Sequence, residues 1–186
     1  MKETPISDAA AMRLLINPVR YSIWRVTSKL GPVTVEAIGR HICRDPGAIY
    51  RHIQNLEKAE LIHRYDTVQT AGRTAVRYVT DENPYLAYDP NNPAVIEAMA
   101  RIGEIATRQA TSECAKSVKS GNAVMRGLKR DTMIKTDSAW VDAPHLAAIN
   151  KKIDELRALL HTDELPHKGK LVHFVTIMWP QNSEVG

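Results

Sequence analysis

The sequence has only two cysteines, Cys43 and Cys114, in 186 residues. That excludes a disulfide framework and leads us to expect reduced thiols. No apolar run is long enough to span a bilayer. The opening "MKETPISDAA" lacks the basic and apolar parts of a signal peptide, so the expected compartment is the cytoplasm. There is no P-loop, no glycine-rich dinucleotide turn and no nucleophile elbow. "SGNAVMRG" at Ser120–Gly127 has glycines but falls between helical patterns. No internal repeat or low-complexity tract is present, and nothing calls for a cofactor or a resident metal. The chain does not read as an enzyme.

What the chain does have is a 44% apolar fraction, enough for a packed core. Its charge is also unevenly spread. Residues 1–80 hold 12 Lys+Arg and 7 Asp+Glu, a net of +5, whereas the remaining 106 residues hold 13 and 14, a net of −1. The first part is therefore the candidate for a polyanionic partner. The turn-rich "DENPYLAYDPNNP" at Asp81–Pro93, with three prolines and three asparagines, separates the two zones. We expect a first domain over 1–80, a linker over 81–92 and a second region over 93–186.

Before that linker the pattern is helix, helix, helix, strand, strand. The first helix is expected from about Ser7, its N-cap, through Lys29, kinked or split at Pro18, and "GP" at Gly31–Pro32 ends it. The second starts at Thr34, with Val35, Ile38 and Ile42 facing inward. The third starts at Asp45, with Pro46 in the first helical position, where its missing N–H costs nothing. At 100° per residue, Ile49, Ile53 and Leu56 share the inner face. Arg44, Gly47, Arg51, Gln54 and Lys58 share the outer one, with Ala48, Tyr50, His52 and Asn55 at its edges. Small Gly47 and Ala48 let the leading end of the helix come close to a partner, and Arg, Gln and Asn are side chains that read base edges in a major groove. His52 reads as a half-buried structural histidine and Cys43 as a small buried hydrophobe. "LIHRYDTV" and "RTAVRYVT", separated by "QTAG", form a hairpin carrying Arg64, Arg73 and Arg77, with Gly72 in its turn and Tyr65 and Tyr78 packing it.

Three helices closed by a basic hairpin, as written in "NPVRYSIWRVTSKLGPVTVEAIGRHICRDPGAIYRHIQNLEKAELIHRYDTVQTAGRTAVRYVT", resemble the winged helix-turn-helix of ArsR-like bacterial transcription regulators. The resemblance is carried by Pro18 and Arg20 ahead of the first apolar run, by "YRHI" at Tyr50–Ile53, by "LEKAELI", by Gly72–Arg73 and by Tyr78. It covers residues 10–80. Tyr50 stands where such regulators have a small residue, and Glu60 where they have a turn glycine. The cysteine cluster of the metal-sensing branch is missing, with Cys43 alone in that region. The resemblance implies a regulator of double-stranded DNA. Its contact residues would be Arg44, Gly47, Ala48, Tyr50, Arg51, Gln54, Asn55, Lys58, Arg64 and Arg73. Steric occlusion of a promoter makes a repressor the default. Two other classes compete: a winged helix used as a protein–protein module, and an enzyme or metal protein centred on His161, His167 and His173.

One winged helix reads a short half-site, so a homodimer is expected. Val95, Met99, Ile102 and Ala106, within a long helix over Pro93–Lys119, are the candidate dimer stripe, widened by Ile105, Ala110 and Cys114. A second helix, Pro144–His161, carries the seam Leu146, Ile149, Ile153, Leu156 and Leu160. Strands are expected at "DTMIKTDSAWV", Asp131–Val141, and at "KLVHFVTIMWP", Lys170–Pro180. Trp140 and "IDELRALL" resemble, more loosely, the C-terminal part of some ArsR-like regulators. Trp140, Phe174, Met178 and Trp179 are candidates for lining an apolar effector pocket. The fold expected is mainly α with a small β wing.

Overall fold

The computed structural model describes residues 3–70, 72–160 and 172–179. The chain divides into two compact units, Met1–Gln109 and Ala110–Gly186. In the first, β1 (Thr4–Ile6) is followed by α1 (Ala9–Leu15), α2 (Pro18–Leu30), β2 (Val33–Thr34), α3 (Val35–His41) and α4 (Pro46–Lys58). Then come the wing strands β3 (His63–Thr70) and β4 (Arg73–Val79), β5 (Pro84–Leu86) and α5 (Pro93–Lys119). The observed fold is thus helical with a small antiparallel wing.

Helix boundaries follow local chemistry. The expected first helix is two helices, because Asn17 leaves the helical path and caps a new one. Its Oδ1 accepts from Val19 N at 3.0 Å and Arg20 N at 3.2 Å, with Pro18 at the first position of α2. The N-cap of α1 is Asp8 rather than Ser7, accepting from Ala10 N and Ala11 N at 3.0 and 3.1 Å. Thr34 caps α3 and Asp45 caps α4, as expected from their positions. Asn92 and Pro93 start α5 in the same way as Asn17 and Pro18.

The ends of α3 and α4 share a second device. Cys43 and Glu60 both take positive φ, 54° and 57°. At each, two reverse hydrogen bonds close the helix: Cys43 N to Arg40 O and Arg44 N to Gly39 O, then Glu60 N to Glu57 O and Leu61 N to Leu56 O. Cys43 is therefore an exposed turn residue, not the small buried hydrophobe expected, because a left-handed cap turns its side chain outward. A Cβ on Gly39 would stand 2.7 Å from the Arg44 carbonyl, so only glycine allows this tight turn into α4.

One core holds the unit together. Met12, Leu15, Ile23, Ile38, Ile49, Ile53, Leu56 and Ile62 are fully buried in it. The sheet order is β2-β4-β3, all antiparallel, so β2 adds a third strand to the expected hairpin. A bulge between Arg64 and Asp66 shifts the register at Tyr65. Tyr78 is buried in the core, but Tyr65 is 60% exposed and lies under the Arg77 guanidinium instead.

The segment expected to be a linker is tied to this unit. β5 pairs in parallel with β1, Thr4 opposite Pro84 and Ile6 opposite Leu86. Val95, Ala98 and Ile102 of α5 then pack into the same core, at 1%, 0% and 3% exposure. Val95 and Ile102, placed in a dimer stripe by their spacing, are covered by their own chain. The boundary between the units falls inside α5, not before it.

In the second unit α6 (Ala143–Leu160) has no buried residue. Residues 131–142 and 172–179 are not in strands, so the two strands expected around α6 do not form among the described residues.

Two substitutions test the helix ends. Glu60→Gly removes left-handed strain and should raise stability by about 0.5–1 kcal/mol in urea unfolding. Gly39→Ala forces the turn open and should lower it by about 1–3 kcal/mol. Unchanged midpoints would show that these turns relax at no cost.

Candidate nucleic-acid interface

The inner face of α4 is closed: Ile49, Ile53 and Leu56 each have 0% exposure. That fixes the rotation of the helix about its axis, so its outer face is open. Arg44, Gly47, Ala48, Tyr50, Arg51, Gln54 and Lys58 are all exposed, and Asn55 is half-buried at the flank. Arg64 and Arg73, on the wing, are exposed as well. The structure thus brings eight of the ten residues picked from the sequence onto the turn and helix α4, and the other two onto the neighbouring hairpin.

The arginines are not equivalent. Arg64 donates from Nε to Glu57 at 2.5 Å, and that hydrogen bond raises the guanidinium pKa above its ordinary value. Arg77 grips both carboxylate oxygens of Asp66 across the wing. Its guanidinium pKa is raised by that pairing, and Asp66 is held below the usual carboxylate range by the same hydrogen bonds. Among the described residues no carboxylate pairs with Arg44, Arg51, Lys58 or Arg73. These four carry the uncompensated positive charge of the face. Gly72, with φ of 76°, supplies the left-handed residue of the wing turn next to Arg73.

Two residues of this region were not picked as contacts from the sequence. Arg20, on α2, is half-buried, and its Nε donates to the Leu14 carbonyl. His52 is half-buried on the flank of α4, in line with its expected packing role. Its imidazole pKa is lowered by burial first and then by Arg20, Arg44 and Arg51. The spacing that places His52 on the flank was visible in the sequence, but the approach of α2 was not.

A hollow of about 140 Å³ lies beside the turn, lined by Pro18, Val19, Ser22, Ile42, Arg44 and Gln109. Gln109 Nε2 spans it, donating to the Pro18 carbonyl and the Ser22 hydroxyl at 3.0 Å each. The candidate effector residues are elsewhere and in the open: Trp140 is 85% exposed, Phe174 49%, Met178 52% and Trp179 67%. His161 and His167 lie outside the described residues, and no cluster of metal-binding side chains occurs among the described ones. No helix among the described residues is long and apolar enough to cross a membrane.

Residues 16–69 match the model of the MarR family. The match lies within the stretch that resembles ArsR-like regulators, but it is to MarR, and what the two share is the winged helix-turn-helix. A search of curated proteins returns no match. Among solved structures, one similar chain is a mutant of S. aureus MepR bound to an oligodeoxyribonucleotide. It has 12% sequence identity, covers 82% of this chain and 88% of its own, and gives a TM-score of 0.28, too low to support a common arrangement of the whole chain.

The Asp66–Arg77 pair gives the wing an acid dependence. A carboxylate whose folded pKa is depressed contributes stability above its ordinary value of 3.8 and loses it as pH falls through the folded value. Protection of the β3 and β4 amides, measured relative to the intrinsic exchange rate at each pH, should therefore fall as pH drops below about 4. In Asp66→Asn that acid step should vanish; an identical step in the variant would assign it to another group.

Proposed function

We propose that the chain is a sequence-specific regulator of transcription that binds double-stranded DNA as a homodimer, most simply as a repressor. One observation carries this reading: α4 has a sealed apolar face and an opposite face of exposed Arg51, Gln54 and Lys58 behind small Gly47 and Ala48. A helix so exposed has the width and the side chains to enter a major groove. Arg44, Arg51, Lys58 and Arg73 neutralise phosphates in this reading, while Arg51, Gln54 and Asn55 face the bases. Arg64, held by Glu57, braces the helix against the wing. The match of residues 16–69 to MarR supports the same role, and the ArsR-like likeness is then that of winged domains in general. Such a role belongs in the cytoplasm and makes no use of catalysis.

The surface for a second copy is narrower than the spacing of α5 suggested, since Val95 and Ile102 face their own core and Met99 packs against it. The seam of α6 remains open: Leu146, Ile149, Leu156 and Leu160 are 37–41% exposed. An apolar effector, in this reading, would sit against Trp140, Phe174, Met178 and Trp179, whose side chains are exposed among the described residues.

Selection of bound duplexes from a random pool tests the proposal. A two-fold symmetric consensus is expected, bound with an affinity that falls steeply as salt rises. Arg51→Ala should weaken binding by about 1–3 kcal/mol, or roughly five- to 150-fold. A pool that never enriches, with binding insensitive to Arg51→Ala, would leave the winged helix as a protein-docking module.

A further inference from the structure

We propose that Glu57 is a specificity-determining residue of the DNA contact: it holds Arg64 by Nε so that the open Nη edge of the guanidinium closes on one backbone phosphate, and it cancels the charge with which a loose arginine would grip any polyanion. The inference rests on the DNA reading above and goes beyond the bracing role given there to Arg64. Both ends of the pair are fixed. Glu57 stands on the last turn of α4, whose rotation is set by buried Ile53 and Leu56. Arg64 lies opposite buried Tyr78 in the wing, just after buried Leu61 and Ile62. The chain between them is closed by Glu60 N bonding to Glu57 O and Leu61 N to Leu56 O. The guanidinium is then tied to the helix at 2.5 Å, from Arg64 Nε to Glu57 Oε1.

An arginine carries five N–H donors in one plane. Glu57 takes the one at Nε, and among the described residues no group takes those on Nη1 and Nη2. Arg77 is the contrast: Asp66 takes both its Nε and its Nη2, which closes one side of the fork. Exposure agrees with this division. The Arg64 side chain is 64% exposed and that of Glu57 27%, so the carboxylate is the covered member and the guanidinium the open one. Gln54, one turn before Glu57 on the same side of α4, is exposed and belongs to the face read as meeting bases. A guanidinium fork matches two phosphate oxygens, and one already held loses little freedom on binding. Attraction between free cations and phosphates is the same for every sequence. A neutral pair adds little to that attraction, and its fork engages only where a phosphate falls in register with it. Glu57 therefore suppresses binding to arbitrary DNA more than binding to the operator.

The experiment measures affinity against salt for the full chain, Glu57→Gln and Glu60→Gln, on the selected duplex and on a scrambled duplex of the same length. Glu60→Gln removes an equal charge from an exposed side chain that has no arginine partner among the described residues. Glu57→Gln should steepen the slope of log affinity against log salt on the scrambled duplex by about 0.9, which is roughly three- to fourfold between about 50 and about 200 mM. The ratio of selected to scrambled affinity should fall several-fold. Glu60→Gln should change both quantities clearly less. An unchanged slope and ratio in Glu57→Gln, or equal effects of the two variants, overturn the inference alone. Should Glu57→Gln fail to fold, the guanidinium resonances of wild-type Arg64 decide the matter. On adding the selected duplex its Nη signals should shift and exchange more slowly while Nε–H keeps its bond to Glu57; Nη signals that do not move overturn the inference. If no duplex is selected and none is bound at any salt, the DNA reading fails and this inference with it.

Discussion

The close approach of Gly39 to the Arg44 carbonyl is the constraint on which the rest depends. The amide of Arg44 bonds to the Gly39 carbonyl at 2.8 Å, and Cys43 takes the left-handed conformation that makes this reach possible. Three residues therefore turn the chain from α3 into α4. Asp45 then caps α4, and the apolar trio Ile49, Ile53 and Leu56 locks its rotation. The turn sets the direction of the helix and the core sets which side faces out. Neither alone would present Arg51 and Gln54 together.

The wing is built on a different principle. Its outer surface is largely solvated, so it cannot rely on burial for rigidity. It uses instead a paired Asp66 and Arg77, a tyrosine under that arginine, and a third strand on the inner edge. Each surface pair is weak by itself, but Tyr78 anchors the hairpin in the core directly opposite Arg64. A positive charge count overstates what the hairpin offers an anion, because Arg77 and Arg64 already have carboxylate partners.

Much of this could be read from the residues, for a physical reason. Asn17–Pro18, Thr34, Asp45–Pro46 and the period of Ile49, Ile53 and Leu56 are local signals, and local hydrogen bonds or one helix face suffice to realise them. The exposed face of α4 follows directly from that period. What was missed depends on contacts between distant segments. Pairing of β1 with β5 turned an apparent linker into part of the domain. Asn92 looked like linker composition, yet it caps α5, whose span Pro93–Lys119 is the one expected. A spacing of four, three and four predicts a buried stripe on α5 without saying what buries it, and the answer was the chain's own core. The electrostatic effect of Arg20 on His52 is likewise tertiary, invisible in either segment alone. In residues 131–142 and 172–179, β-branched composition suggested strands, but composition supplies no partner strand.

The way the first unit ends has a consequence for how the chain is assembled. Among the described residues Ile102 is the last buried residue of α5, and Gln109 is tied to Pro18 and Ser22. Every apolar position the winged core requires is thus supplied before residue 110. The wing, the turn and α4 sit on a core whose described buried side chains are all in place before α5 passes Gln109.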